Sequence, residues 1–140
     1  TSKSTVEKNS HFITSILFVP IKYRYFNANP LNRKEKDCVC RAISRALRLQ
    51  YDEVEHKLAL IGELFDCDKL CVCCYAHLLK EVFGLQPHYA HGKTVNELAR
   101  KYPRQTILIR LDGHLTVVEN GVLYDTQNCR NAVADMFWIV

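Results

Sequence analysis

No stretch of this sequence is long and apolar enough to cross a membrane. The longest apolar run, Phe12 to Ile21, is about ten residues and contains Thr14, Ser15 and Pro20. Lys3 and Lys8 precede it, but no small-residue cleavage pattern follows, so it does not read as an export signal. Clustered Lys and Arg beside an aromatic platform are also missing. The densest basic group, Arg33-Lys34-Glu35-Lys36, is broken by a Glu, and the net charge is +4. That balance excludes the usual footprint of a nucleic-acid partner. No internal repeat occurs, and strands do not alternate with helices as in a βαβ fold. The cysteines lack the paired C-x2-C knuckles of common zinc modules. The expectation is a chain with no nucleic-acid partner, no membrane partner and no bound cofactor.

What is present suits one ordinary globular domain. The chain has 140 residues, 48% hydrophobic and 24% charged, enough to bury a core. Its seven cysteines are Cys38, Cys40, Cys67, Cys71, Cys73, Cys74 and Cys129. An odd number with two adjacent members suits a disulfide framework poorly, so reduced thiols and a cytoplasmic protein are expected. Residues 1–21 read as an N-terminal extension or tail, although Phe12 to Val19 could form a strand or short helix. Residues 22–140 read as the domain.

Within the domain, Tyr23 to Phe26 suggests a short strand, followed by turn residues Asn27 to Pro30. A helix is expected from Asp37 onward. A second starts at the capping-box pattern Asp52-Glu53-Val54-Glu55, with Val54, Leu58, Ile61 and Leu64 or Phe65 inward. A third spans Val72 to Phe83, with Leu78, Leu79, Val82 and Phe83 inward and Gly84 as its stop. Thr94-Val95-Asn96-Glu97 opens a short fourth helix, ending before Pro103. The pattern then changes to apolar runs at Thr106 to Leu111, His114 to Val118, Val122 to Tyr124 and Phe137 to Val140. Asn120-Gly121 is a two-residue hairpin signal. Helices first and an antiparallel sheet second make an α+β arrangement.

Two stretches carry chemistry. In Asp37 to Leu49, Val39, Ile43, Ala46 and Leu47 form a buried stripe, and Arg41, Ser44, Arg45 and Arg48 take the other side. Asp37 reads as the N-cap. Cys38 then stands where unpaired backbone N–H groups and the helix dipole favour a thiolate, with the Asp37 charge opposing. In Gly113 to Thr126, the Asn120-Gly121 turn places Asp125 across the pair from His114, within a position or two. A carboxylate there orients an imidazole, and an oriented imidazole is the base a cysteine nucleophile requires.

Asn27-Ala28-Asn29-Pro30, Asp37-Cys38-Val39-x-Arg41-Ala42-Ile43, Tyr51-Asp52-Glu53-Val54 and the pair Gly113-His114-Leu115-Thr116 with Tyr124-Asp125-Thr126 occur together. In this combination the sequence resembles small cysteine-peptidase-like proteins of bacteriophages and prophages, over Tyr23 to the C-terminus. The resemblance implies a papain-like fold, with Cys38 as nucleophile, His114 as base and Asp125 as orienting acid. It implies a cysteine hydrolase working through a thioester on a peptide or protein substrate. In the papain-like class an amide shortly before the nucleophile completes the oxyanion hole; Asn32 is the first candidate here, with Asn27, Asn29 and Gln127 as further ones. A catalytically inactive scaffold binding a protein partner is the alternative on the same fold.

The third constellation is Cys67-x3-Cys71-x-Cys73-Cys74-x2-His77. Cys67, Cys71, Cys74 and His77 have ligand types that suit zinc, and Cys74 and His77 share a helix face. A zinc-stabilised interaction module is therefore the third reading. The expectation from spacing is reduced, metal-free thiols, some packed as small hydrophobes.

Overall fold

The computed structural model describes residues 19–33 and 35–140. The expected element at Phe12 to Phe18 lies outside them. The elements in chain order are β1 (Lys22–Tyr25), α1 (Cys38–Leu47), α2 (Tyr51–Phe65) and α3 (Val72–His77), which continues into a π-helical turn at Leu78–Val82. Then come β2 (His88–Tyr89), α4 (Val95–Lys101), β3 (Thr106–Leu111), β4 (His114–Glu119), β5 (Val122–Asp125) and β6 (Met136–Ile139). The α+β class therefore holds, with helices preceding most of the sheet. Among the described residues no helix is long and apolar enough to cross a membrane.

The six strands form one sheet in the order β1-β5-β4-β3-β6-β2. The sheet is mixed rather than antiparallel, because β1 lies parallel to β5, with Tyr25 opposite Asp125. No local turn signal announces a parallel partner so distant in sequence. The hairpin obeys its turn: Glu119 faces Val122 across Asn120-Gly121, and both turn residues have positive φ, 50° and 74°. That is the twist a tight two-residue connection needs.

Both faces of the sheet are covered. Leu108, Leu115, Val117 and Trp138 point to the layer of α1, α2 and α3. Ile107, Ile109, Leu111, Val118, Leu123 and Phe137 point to α4 and its flanking loops. Double coverage explains why Thr106 to Leu111 is almost continuously apolar instead of alternating. The chain is tied down before β1: the Ile21 N–H donates to Asn96 Oδ1 at 3.0 Å, and its carbonyl accepts from Arg130 Nη1 at 2.6 Å.

Three local expectations need correction. Asp37 makes no side-chain cap bond to α1. The Asp52 pattern does not cap α2, which starts one residue earlier behind Gln50. Val82 is exposed, as are Leu64 and Phe65. The π-helical turn advances five residues per hydrogen bond, which rotates Val82 off the inward face. The Thr94–Glu97 capping box is present in both directions, and of the α1 stripe Val39, Ile43 and Ala46 are buried while Leu47 is half-buried.

Candidate active site

Asp37 decides how α1 presents Cys38. Instead of capping, its carboxylate turns inward to the Arg41 guanidinium, accepts from the Tyr51 hydroxyl at 2.7 Å and from Asn29 Nδ2 at 3.1 Å. Arg41, read from sequence as a solvent-side residue, is 8% exposed. It also donates to the Glu35 carbonyl at 3.2 Å and to Thr126 Oγ1 at 3.3 Å, tying the start of α1 to the end of β5. The opposing charge next to Cys38 is thus neutralised by an adjacent cation. The first backbone bond into α1 runs from the Arg41 N–H to the Asp37 carbonyl, 3.0 Å. The preceding helical N–H groups, that of Cys38 among them, remain free of intrahelical partners.

The other end of α1 is clamped to the sheet. Buried Glu119 accepts from Arg45 Nε at 2.9 Å and from Arg48 Nη2 at 2.6 Å. The Arg45 guanidinium also lies 3.8 Å over the Tyr124 ring. These contacts fix the helix against the β4–β5 hairpin, so Cys38 faces the first residue of β4, His114.

His114 Nε2 meets Asp125 Oδ2 at 2.6 Å, as the hairpin register implied. Asp125 also accepts from the Gln127 N–H at 3.1 Å. With Nε2 engaged, Nδ1 is the ring nitrogen left for a thiol. Burial pushes the Cys38 thiol up, but its contact with His114 and the Arg41 charge bring it below the ordinary thiol value. Burial opposes the charged imidazole too. Asp125, with the neighbouring thiols of Cys129 and Cys38, overrides this and raises His114 to about 11. Burial would raise Asp125, yet His114, Thr116 and the Gln127 amide hold it below the usual carboxylate range. Thr116 Oγ1 is otherwise a buried oxygen without a well-formed hydrogen bond. It acts on Asp125 by proximity rather than by ideal geometry. The two shifts act in the same direction, toward a Cys38 thiolate facing a His114 imidazolium.

The linkage has a testable sign. The raised His114 value stabilises the fold fully below its unfolded pKa of about 6.5, and that contribution fades as pH rises through about 11. The lowered Asp125 value contributes above its unfolded pKa of about 3.9 and is lost as pH falls through the native value. The stability gap between wild type and His114→Ala should therefore be widest between about pH 4 and 6.5 and narrow on both sides. Melting temperatures across pH would read this, and a gap that does not change with pH would mean no such ion pair.

A cavity of about 170 Å³ opens beside the pair, lined by Cys38, Leu70, Val72, Tyr75, Arg110 and His114 among others. Cys71 also reaches this wall. A larger hollow is bordered by Tyr25, Glu35, Lys36, Arg41, Thr126 and Gln127. Asn32 borders neither. It sits exposed in a turn at φ 52°, its N–H on the Asn29 carbonyl. Asn29 is the buried amide of this loop, and Asp37 holds it.

Sequence reasoning missed Cys129 here. It reads as an exposed loop thiol, but it is half-buried and donates to Asp125 Oδ2 at 3.7 Å. Nothing local signals this, since the loop after β5 brings it back. Cys40 is buried and its thiol is pushed up to about 12, chiefly by burial, as suits an inert position. Of the four residues read as zinc ligand types, Cys67 and Cys71 come together, joined by Cys73. Cys74 is buried and donates to the Leu58 carbonyl at 3.1 Å, while His77 stacks on Phe65 with ring centres 3.9 Å apart.

Compared with known protein families, curated proteins and solved structures, the chain matches none of them.

Proposed function

We propose that this chain is a cysteine hydrolase with a papain-like arrangement, related to the phage and prophage peptidase-like proteins its motifs resemble. The observation that carries the reading is the 2.6 Å bond from His114 Nε2 to Asp125, which leaves Nδ1 toward Cys38 at a helix N-terminus. A buried carboxylate, an oriented imidazole and a low-pKa thiol are the parts acyl transfer requires.

In this reading the Cys38 thiolate attacks a substrate carbonyl carbon, forming a C–S bond and an oxyanion. The free N–H groups at the start of α1 stabilise that oxyanion. His114 passes its Nδ1 proton to the leaving amine nitrogen as the C–N bond breaks, leaving a thioester. Water then gives a proton to His114 and attacks the thioester carbonyl. The C–S bond breaks, and thiolate and imidazolium are restored. Asp125 keeps the ring in the required tautomer throughout. A peptide or protein substrate suits the apolar Leu70, Val72 and Tyr75 wall, which fits a side chain beside the scissile bond. Seven unpaired thiols suit a reducing compartment such as the cytoplasm.

Intact-mass analysis during turnover of p-nitrophenyl acetate tests this. The expected result is a burst of about one equivalent of nitrophenol, with the acetyl group on Cys38 and slow release by water. A folded protein whose Cys38 never acylates would instead be the binding scaffold.

A further inference from the structure

The loop between α2 and α3 collects sulfur. The Sγ atoms of Cys67, Cys71 and Cys73 lie within 4.8 Å of one another. Tetrahedral zinc with bonds of about 2.3 Å to sulfur holds its thiolates a little under 4 Å apart, so small rotations bring all three into range. The spacing Cys67-x3-Cys71 is one a zinc loop uses.

The backbone is built to hold this gathering. The Cys67 N–H donates to the Gly62 carbonyl at 3.0 Å, and the Cys71 N–H to the Asp68 carbonyl at 3.1 Å. Gly62 has no side chain because one would collide: a Cβ there would stand 2.7 Å from the Cys67 carbonyl oxygen. The loop therefore lies directly on α2, with its sulfurs facing one point. Cys71 also begins α3, its carbonyl accepting from the N–H groups of Cys74 and Tyr75. Cys74, the next residue after Cys73, is buried and its thiol is turned to the Leu58 carbonyl instead. Cys73 is exposed, so a cation can enter from solvent.

We propose that Cys67, Cys71 and Cys73 form a zinc site, with a fourth position open to an exchangeable ligand. Three S–H protons pass to the buffer as three Zn–S bonds form, with no change of oxidation state. Zinc is favoured over harder cations because all three donors are soft and no carboxylate joins them. Such a site overturns the metal-free expectation, and the set differs from the ligand types the sequence offered: Cys73 joins, while Cys74 and His77 take no part. Since Cys71 also lines the cavity beside Cys38, the ion would stiffen that wall. The site does not depend on Cys38 being a nucleophile.

The test uses the full chain carrying Cys38→Ser and Cys129→Ser, so that metal cannot lodge beside His114 and Asp125. The reduced apoprotein is titrated with Zn²⁺ and, separately, with Co²⁺. Expected are one equivalent of Zn²⁺ per chain and a thiolate-to-cobalt charge-transfer band in the near ultraviolet. Cys71→Ser and Cys73→Ser should each weaken binding at least tenfold, while His77→Ala leaves it unchanged. Circular dichroism confirms that each variant is folded. Overturning results are substoichiometric zinc, a cobalt spectrum without the sulfur band, equal binding when all three cysteines are serine, or loss of binding in His77→Ala. Stable disulfides among these thiols under mild reductant would overturn it as well.

Discussion

Replacing His114 with Ala should slow iodoacetamide labelling of Cys38 about tenfold at pH 6. Without the imidazolium, burial is left to raise the Cys38 thiol. Each unit of rise removes tenfold of the thiolate at a pH below the pKa. A more basic thiolate is more nucleophilic, which returns about threefold per unit, so the rate falls by less than the thiolate population does. The variant's rate should go on climbing to higher pH than the wild type's, because its thiol ionises later. Exposed Cys73, with chelator present, is the reference thiol. Cys129 cannot serve, because it touches Asp125. Mass-spectrometric peptide mapping of the labelled sites decides the matter. Equal rates for Cys38 in both proteins would remove the activated nucleophile.

Asp37→Ala should cost about 3–5 kcal/mol and lower the melting temperature by roughly 10–15 °C, a large share of a typical domain's stability. The loss comes less from the missing bonds than from Arg41, which stays buried without its carboxylate. The Tyr51 hydroxyl and the Asn29 amide lose their acceptor as well. Adding Arg41→Met should recover part of the loss, since removing both charges is far less costly than stranding one. Denaturant midpoints of the two variants measure this. A single-variant loss under about 1 kcal/mol would mean the pair behaves like an exposed one.

The same case shows where the sequence could be read and where it could not. Thr94-x-x-Glu97 and Asp52-x-x-Glu55 look alike on paper, yet the first is a capping box and the second is not. Tyr51 makes the difference: its ring is drawn into the core to reach Asp37, so α2 begins there. Asp37 likewise had good local chemistry for a cap, and a distant Tyr and a buried Arg outbid it. The hairpin was legible because a two-residue turn fixes register through geometry alone, which is how Asp125 could be placed beside His114. The inward stripe of α1 was legible for the same reason, a fixed period. Parallel pairing of β1 with β5, the approach of Cys129 and the gathering of Cys73 with Cys67 depend on loops whose paths no period encodes.

The parallel seam between β1 and β5 bears on the order in which the molecule assembles. Phe26 donates its N–H to the carbonyl of Asp125 at 3.0 Å, so the strand that carries the acid is finished by a segment from the opposite end of the described chain. Such long-range pairing forms slowly, after the local helices and the hairpin. During synthesis α1 can therefore exist for some time with Cys38 beside no base at all. Cys38 meets His114 only when α1 packs against β4, a strand that comes far later in the chain. In the proposed reading, the nucleophile is therefore synthesised well before its base and its acid.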